Sequence, residues 1–228
     1  MKVNEDFETS REGFDEYIDL TYSLSPESPV WPGEQKARFK EISTLPRDSA
    51  NVSRVDLNVH TETHVDAPGH FIEDGATIDQ LPLETFSGKA VFYSSSEKPR
   101  GQEIELEKVK RSVSRLSEGD IFILDSGLRV LRGSNRYYED FPVPSNDLLE
   151  WLSDQGVKLF CTDCPSIDPL GSQTHEKHKL LLSDGIPVVE NLANLNLLKA
   201  GEDIIFFSFP LKLKGLEASP CRAVALVK

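Results

Sequence analysis

Eleven consecutive residues, His60 to His70, carry three imidazoles and a carboxylate, His60, His64, Asp66 and His70, in a chain with only five histidines. The other two, His175 and His178, stand shortly before a second acidic residue, Glu190. Imidazole nitrogen and carboxylate oxygen together are the donor set of Zn²⁺ and Mn²⁺ sites, so a metal-binding centre is the first chemistry to test. Any one of these histidines alone reads as a surface or satisfied core residue. All five beside two carboxylate segments reverse that reading. Glu190 closes the apolar run Ile186 to Val189, where a carboxylate is costly unless it is paired or bound to a cation. A salt bridge to a basic side chain remains the plain alternative for it.

The elements around these residues say how they can meet. From Val55 to His60 the pattern alternates, with Val55, Leu57 and Val59 on one side and Asp56, Asn58 and His60 on the other. If the chain stays extended to residue 66, His60, His64 and Asp66 share a face by period two. The turn Ala67-Pro68-Gly69 then leaves His70 more loosely placed, which suits a proton carrier as well as a ligand. His175 and His178 stand one helical step apart and can share a helix face.

Apolar, β-branched runs read as strands at Val91–Tyr93, Ile121–Leu124, Val157–Cys161, Ile186–Val189, Ile204–Phe209 and Ala223–Val227. Helices alternate with them. Leu106, Val109, Val113 and Leu116 recur at helical spacing, and Ser145 can cap a helix carrying Leu148, Leu149 and Leu152 that Gly156 ends. A third helix spans about His175 to Leu182 and stops near Gly185. The first 50 residues, with Pro26, Pro29 and Pro32 around Trp31, read as loop-like. The alternation predicts a mixed α/β domain, and 228 residues without repeats or linkers suit a single domain over 1–228. Residues 1–16 are expected to be a poorly ordered or peripheral N-terminal segment.

A net charge of -13 argues against nucleic acid and anionic membrane surfaces as partners. The acidic start is not a secretory signal, and no apolar run approaches the roughly 18 residues of a membrane span; the expected location is the cytoplasm. Three cysteines do not suggest a disulfide framework. Cys161 and Cys164 form a CxxC with no second pair to complete a sulfur site.

The segment His60-Thr61-Glu62-Thr63-His64-Val65-Asp66-Ala67-Pro68-Gly69-His70 resembles the His-x-Gly-Thr-His-x-Asp-x-Pro-x-His hallmark of the cyclase family of metal-dependent hydrolases, which includes bacterial kynurenine formamidase and isatin hydrolase. Asp19-Leu20 with Pro29 to Gly33 is similar to the family's opening segment. Asp163 to Asp168 resembles its Asp-x-Pro-Ser-x-Asp stretch. His178 and Glu190-Asn191-Leu192 resemble its second ligand element, and Ala218 to Ala223 its close. The resemblance implies mixed β-sheets flanked by helices, the swivelling β/β/α-like fold, assembled as a homodimer or higher oligomer. It implies a divalent metal, Zn or Mn, with two ions per chain. His60, His64 and Asp66 would hold one, and Asp66 and Glu190 would bridge to a second that His178 also binds. His70 would be the catalytic acid/base, and Trp31 would line the substrate pocket. The implied activity is hydrolysis, by metal-activated water, of an aryl formamide or related cyclic amide. A different lactam or lactone substrate, or a silent metal- or small-molecule-binding role, stays open. Two departures stand out. Glu62 replaces the usual Gly, pointing outward or adding a polar contact, and Asp125-Ser126-Gly127-Leu128 lacks the aromatic of a family Thr-Gly-Trp region.

Overall fold

The computed structural model describes residues 16–95, 101–113 and 115–228. In chain order its elements are β1 (Glu16–Asp19), β2 (Arg38–Ser43), β3 (Val52–Asp56), β4 (His64–Asp66), β5 (Ser87–Ser94), β6 (Glu103–Ile104), α1 (Leu106–Ser112), β7 (Ile121–Asp125), α2 (Arg136–Glu139), β8 (Val143–Pro144), α3 (Asn146–Asp154), β9 (Leu159–Thr162), α4 (Glu176–Ser183), β10 (Val188–Glu190), β11 (Ile204–Pro210) and β12 (Ala218–Val227). Of the peripheral segment expected at 1–16, residues 1–15 lie outside the described residues, and Glu16 opens β1.

The main sheet runs β1-β12-β11-β5-β7-β9-β10-β4, and β4 pairs again with β12. That second pairing closes the sheet on itself. The long strand β12 makes it geometrically feasible: residues 218–220 face β4, while residues 224–227 face β1 on the same side. Pairs β5–β7, β7–β9 and β9–β10 are parallel, and the rest are antiparallel. Between the parallel strands the chain returns through α1, α3 and α4, as parallel neighbours require a crossover.

Side-chain alternation divides the apolar residues between two cores. Ile121, Ile123, Leu159, Cys161, Val65 and Val189 join Phe206, Ala223 and Ala225 in the interior of the closed sheet. Their neighbours Phe122, Leu124, Phe160 and Val188 turn the other way and pack on Val109, Leu148, Leu149, Leu152, Leu181 and Leu182 of the helices. A strand buried on both faces reads as an unbroken apolar run, which is why Ile121–Leu124 is so plain in the sequence.

The expected helix starts and stops hold where capping chemistry sets them. The Ser145 side chain accepts from the Leu148 amide at the start of α3, and Gly156 follows its end with φ of 73°. Helix α1 ends at Ser112, four residues before Leu116, because Val113 is already extended. The proline-rich beginning is less loop-like than expected. It contains β1 and β2, and β2 forms with β3 a separate ribbon whose residues are almost all exposed. Trp31 packs its edge against Tyr138 and Phe141.

Candidate metal centre

Strand β4 sends Val65 into the closed-sheet core and so turns His64 and Asp66 to the opposite, helix-bearing face. The antiparallel register sets Glu190 across from His64 and Val188 across from Asp66. Glu190 thereby joins the same face. Helix α4 brings His178 over that face from outside the sheet. All four side chains are buried.

His60 arrives differently from the extended path expected. Strand β3 ends at Asp56, a turn follows in which the Thr61 amide bonds to the Asn58 carbonyl, and Glu62 takes φ of 60°. That left-handed residue breaks the period-two pattern. It folds His60 back over β4, so the convergence of His60 on His64 and Asp66 is made by a turn rather than by a strand face.

Two groups of three ligands result, His60, His64 and Asp66 in one and Asp66, His178 and Glu190 in the other, each with its ligand atoms within 4.8 Å of one another. Asp66 belongs to both. Its Oδ1 lies 2.9 Å from His60 Nδ1 and 3.3 Å from His64 Nε2, while its Oδ2 lies 3.6 Å from His178 Nε2. Glu190 places one oxygen 3.1 Å from His178 Nε2 and the other 3.6 Å from His64 Nε2.

The ring nitrogens that face away from the cluster are held in place. His64 Nδ1 is 2.7 Å from the Glu62 carbonyl, and His178 Nδ1 is 2.7 Å from Asp168 Oδ2. Such partners select the tautomer that offers Nε2 to a metal. His64 Nε2 and Asp66 Oδ1 are buried yet make no hydrogen bond among the described residues, the state expected of atoms shaped for a cation rather than for each other. The donor set and these two atoms fit a divalent ion.

The electrostatics agree. Burial pulls the His64 pKa down, but the Asp66 carboxylate and then Glu190 outweigh it and push His64 up to about 9. His178 is likewise raised, its burial overcome by Asp168, Asp66 and Glu190. Burial would raise Asp66, but His64 and His60 hold it well below the usual carboxylate range. Burial and the neighbouring Asp66 charge both raise Glu190. Without a metal, imidazolium protons supply the positive charge that two buried carboxylates demand.

His70 closes the short 3-10 turn Pro68–His70 and sets its ring 4.2 Å from that of His60 and 6.1 Å from that of His178. Burial, against the pull of the Asp66 carboxylate, lowers His70 to about 4. The desolvated ring is thus neutral at pH 7. His175 joins neither ligand group. It sits at the start of α4 with φ of 49° and stacks on Phe71 at 4.5 Å.

These residues line a cleft of about 230 Å³ whose walls also include Trp31, Glu34, Asn58, Phe71 and Ser166. Trp31 is among the residues that line it. The aromatic missing from residues 125–128 leaves Trp31 and Phe71 to frame the cleft. That loop has another role: Asp163 accepts the Ser126 and Leu128 amides at 2.8 Å each. The CxxC pair is split between cores, Cys161 in the closed sheet and Cys164 beside Tyr137 and Phe141. Burial raises both thiols well above their ordinary value, which argues against a redox pair. Sequence reasoning gave no role to Asp168, although a ligating histidine generally needs a partner for its second nitrogen. Glu62 does not point outward. Its carboxylate is buried against the Arg132 guanidinium.

The Cyclase family model matches residues 18–169. Kynurenine formamidase of Salinibacter ruber is 35% identical over 91% of this chain and 95% of its own length. Isatin hydrolase A from Labrenzia aggregata, solved with benzyl benzoate bound, superposes with a TM-score of 0.83 at 26% identity, covering 93% of each chain. A predicted metal-dependent hydrolase from Bacillus stearothermophilus gives a TM-score of 0.70 at 25% identity over 92% of this chain and 97% of that one.

Proposed function

This chain belongs to the cyclase family, and from that premise we propose that it is a metal-dependent hydrolase of non-peptide C–N bonds whose substrate is an aryl formamide, as in the kynurenine formamidases it resembles. The observation that carries the reading is the sharing of Asp66 between two three-ligand groups, with Glu190 spanning from His178 towards His64. His60, His64 and Asp66 would hold one ion, and Asp66, His178 and Glu190 a second. The oxygen and nitrogen donors suit Zn²⁺ or Mn²⁺. Such ions lower the pKa of water to about 7 and polarise a substrate carbonyl.

The chain's own residues supply the remaining steps. Trp31 and Phe71, both lining the cleft, offer apolar faces to an aryl group. His70, neutral and within reach of the His60 ring, takes a proton from the attacking water and passes it to the departing aniline nitrogen. Asp168 and the Glu62 carbonyl keep His178 and His64 from rotating. The chain acts on a small molecule as a homodimer or higher oligomer. The β2–β3 ribbon supports that assembly, since Phe39 and Val55, paired across it, are exposed and offer an apolar surface to a second copy. Among the described residues no helix is long and apolar enough to cross a membrane, and we place the enzyme in the cytoplasm.

The likeness to isatin hydrolase favours a second substrate class, a bicyclic lactam opened by the same centre. Steady-state rates of the metal-loaded protein on formylated anilines and on bicyclic lactams decide between them. Faster turnover of the formamides is expected. A preference for lactams would move the assignment to that class, and absence of turnover across amides, lactams and lactones with metal bound would overturn the hydrolase reading.

A further inference from the structure

Residue 62 takes φ of 60°, a conformation that glycine adopts freely and that other L-residues avoid. A glutamate there needs something to hold it. Its side chain is 4% exposed and ion-paired with Arg132, which is 18% exposed. The guanidinium in turn lies 3.4 Å above the Tyr22 ring and 5.3 Å from the Tyr137 ring. Arg132 follows the 3-10 turn Leu128–Leu131, whose first amide is fixed by Asp163. The clamp is therefore seated on a braced part of the fold, seventy residues away in sequence.

The backbone of Glu62 reaches the metal centre directly. Its carbonyl accepts from His64 Nδ1 at 2.7 Å, which turns His64 Nε2 towards Asp66 and Glu190. The same cluster touches the opposite wall. Tyr137 donates its hydroxyl to Asn191 Oδ1 at 2.7 Å, and Thr63 donates to the Asn191 carbonyl at 2.6 Å, next to Glu190.

We infer that the Glu62–Arg132 pair is a positioning clamp for the metal loop, holding residue 62 left-handed so that its carbonyl fixes the His64 ring for metal binding. Glu62 and Arg132 act through His64 and touch neither substrate nor ion. The carboxylate does here what the missing side chain of glycine does at this position of the family hallmark. A pair that only stabilised the fold would leave metal affinity unchanged once the protein folds. This inference rests on the metal-hydrolase reading, and the experiment separates the two.

Dissociation constants for Mn²⁺ are measured by chelator competition on the wild type, Arg132→Met and the double variant Glu62→Gly with Arg132→Met, alongside melting of the metal-free proteins. Arg132→Met should bind an ion about 10- to 100-fold more weakly at the His60, His64 and Asp66 site, the usual loss on removing support from a ligand. The double variant should recover to within about threefold, because glycine needs no clamp at positive φ. If Arg132→Met does not fold, Glu62→Ala takes its place: it should be weak where Glu62→Gly is near wild type. Wild-type affinity in folded Arg132→Met, a double variant as weak as Arg132→Met, or equal affinity of Glu62→Ala and Glu62→Gly would each overturn the clamp. A wild type that binds neither Mn²⁺ nor Zn²⁺ would overturn the metal reading beneath it.

Discussion

Metal binding to this centre should release protons, and the count follows from the geometry. His64 lies against Asp66 and Glu190, and its pKa is pushed up to about 9 although burial opposes it. A metal takes only the neutral ring, so binding must displace that proton. At pH 7, two units below the folded pKa, this competition weakens the apparent affinity about 100-fold, or about 2.7 kcal/mol, relative to the alkaline limit. Raising the pH from 7 to 8 should recover about tenfold for His64 alone. His178 is raised as well, so the full dependence lies between about one and two log units per pH unit. Calorimetric titration of metal-free protein with Mn²⁺ in two buffers of different ionisation enthalpy reads the released protons directly. One to two are expected per chain at pH 7.5. An affinity flat between pH 7 and 8, with less than about half a proton released, would refute the argument, since a histidine at its ordinary pKa of about 6.5 is already neutral there. The metal-free protein carries the converse signature. His64 is raised, so its contribution to stability is full below about pH 6.5 and is lost as pH rises through about 9. Asp66 is lowered, so its contribution is full above about pH 4 and is lost as pH falls further.

Asp66→Asn should remove both ions, whereas Glu190→Gln should spare the one held by His60, His64 and Asp66; metal content after gel filtration distinguishes the two. Asp168→Asn disturbs the anchor of His178 Nδ1 and of the Lys177 and His178 amides. It should weaken the ion at Asp66, His178 and Glu190 by about 10- to 100-fold and leave the other intact, as resolved by two-site competition titration. His70→Ala should keep both ions while kcat falls by about 10²- to 10⁴-fold, the usual worth of a positioned acid/base, and full turnover would remove His70 from the mechanism. Replacing Phe39 and Val55 by Ser should shift the sedimentation coefficient towards the monomer with little change in melting temperature, because both side chains are exposed within one chain.

What was legible of the fold tracks where burial imposes a pattern. Strand β7 and helix α3 are plain because one is apolar on both faces and the other has a serine cap and a glycine stop. Strand β2 escaped the reading, since residues exposed on both faces carry no alternation to detect, and β3 was met only at its end, where Val55 and Asp56 open the alternating stretch read up to His60. The first residues of β12 escaped it too. Pro220 sits inside that stretch and argues locally against a strand, yet it pairs with His64 and helps close the sheet. Closure is a tertiary event, and no local propensity encodes it.

The ligand types were legible because histidine and buried carboxylate are chemically restricted choices, but the way they meet was not. Period two accounts for His64 and Asp66 on β4, and the register with β10 accounts for Glu190. His60 converges only through a backbone conformation that glutamate disfavours, and the reason it is tolerated stands seventy residues further on, in Arg132. A substitution that looks, in sequence, like the loss of a permissive glycine is in space an exchange of backbone freedom for an ion pair. The exchange has a consequence glycine lacks: it couples the loop carrying the first ligands to the Tyr137 cluster that braces Asn191 beside Glu190. Changes at Arg132 and Tyr137, remote in sequence from the ligands, should therefore register at the metal before they register at the substrate.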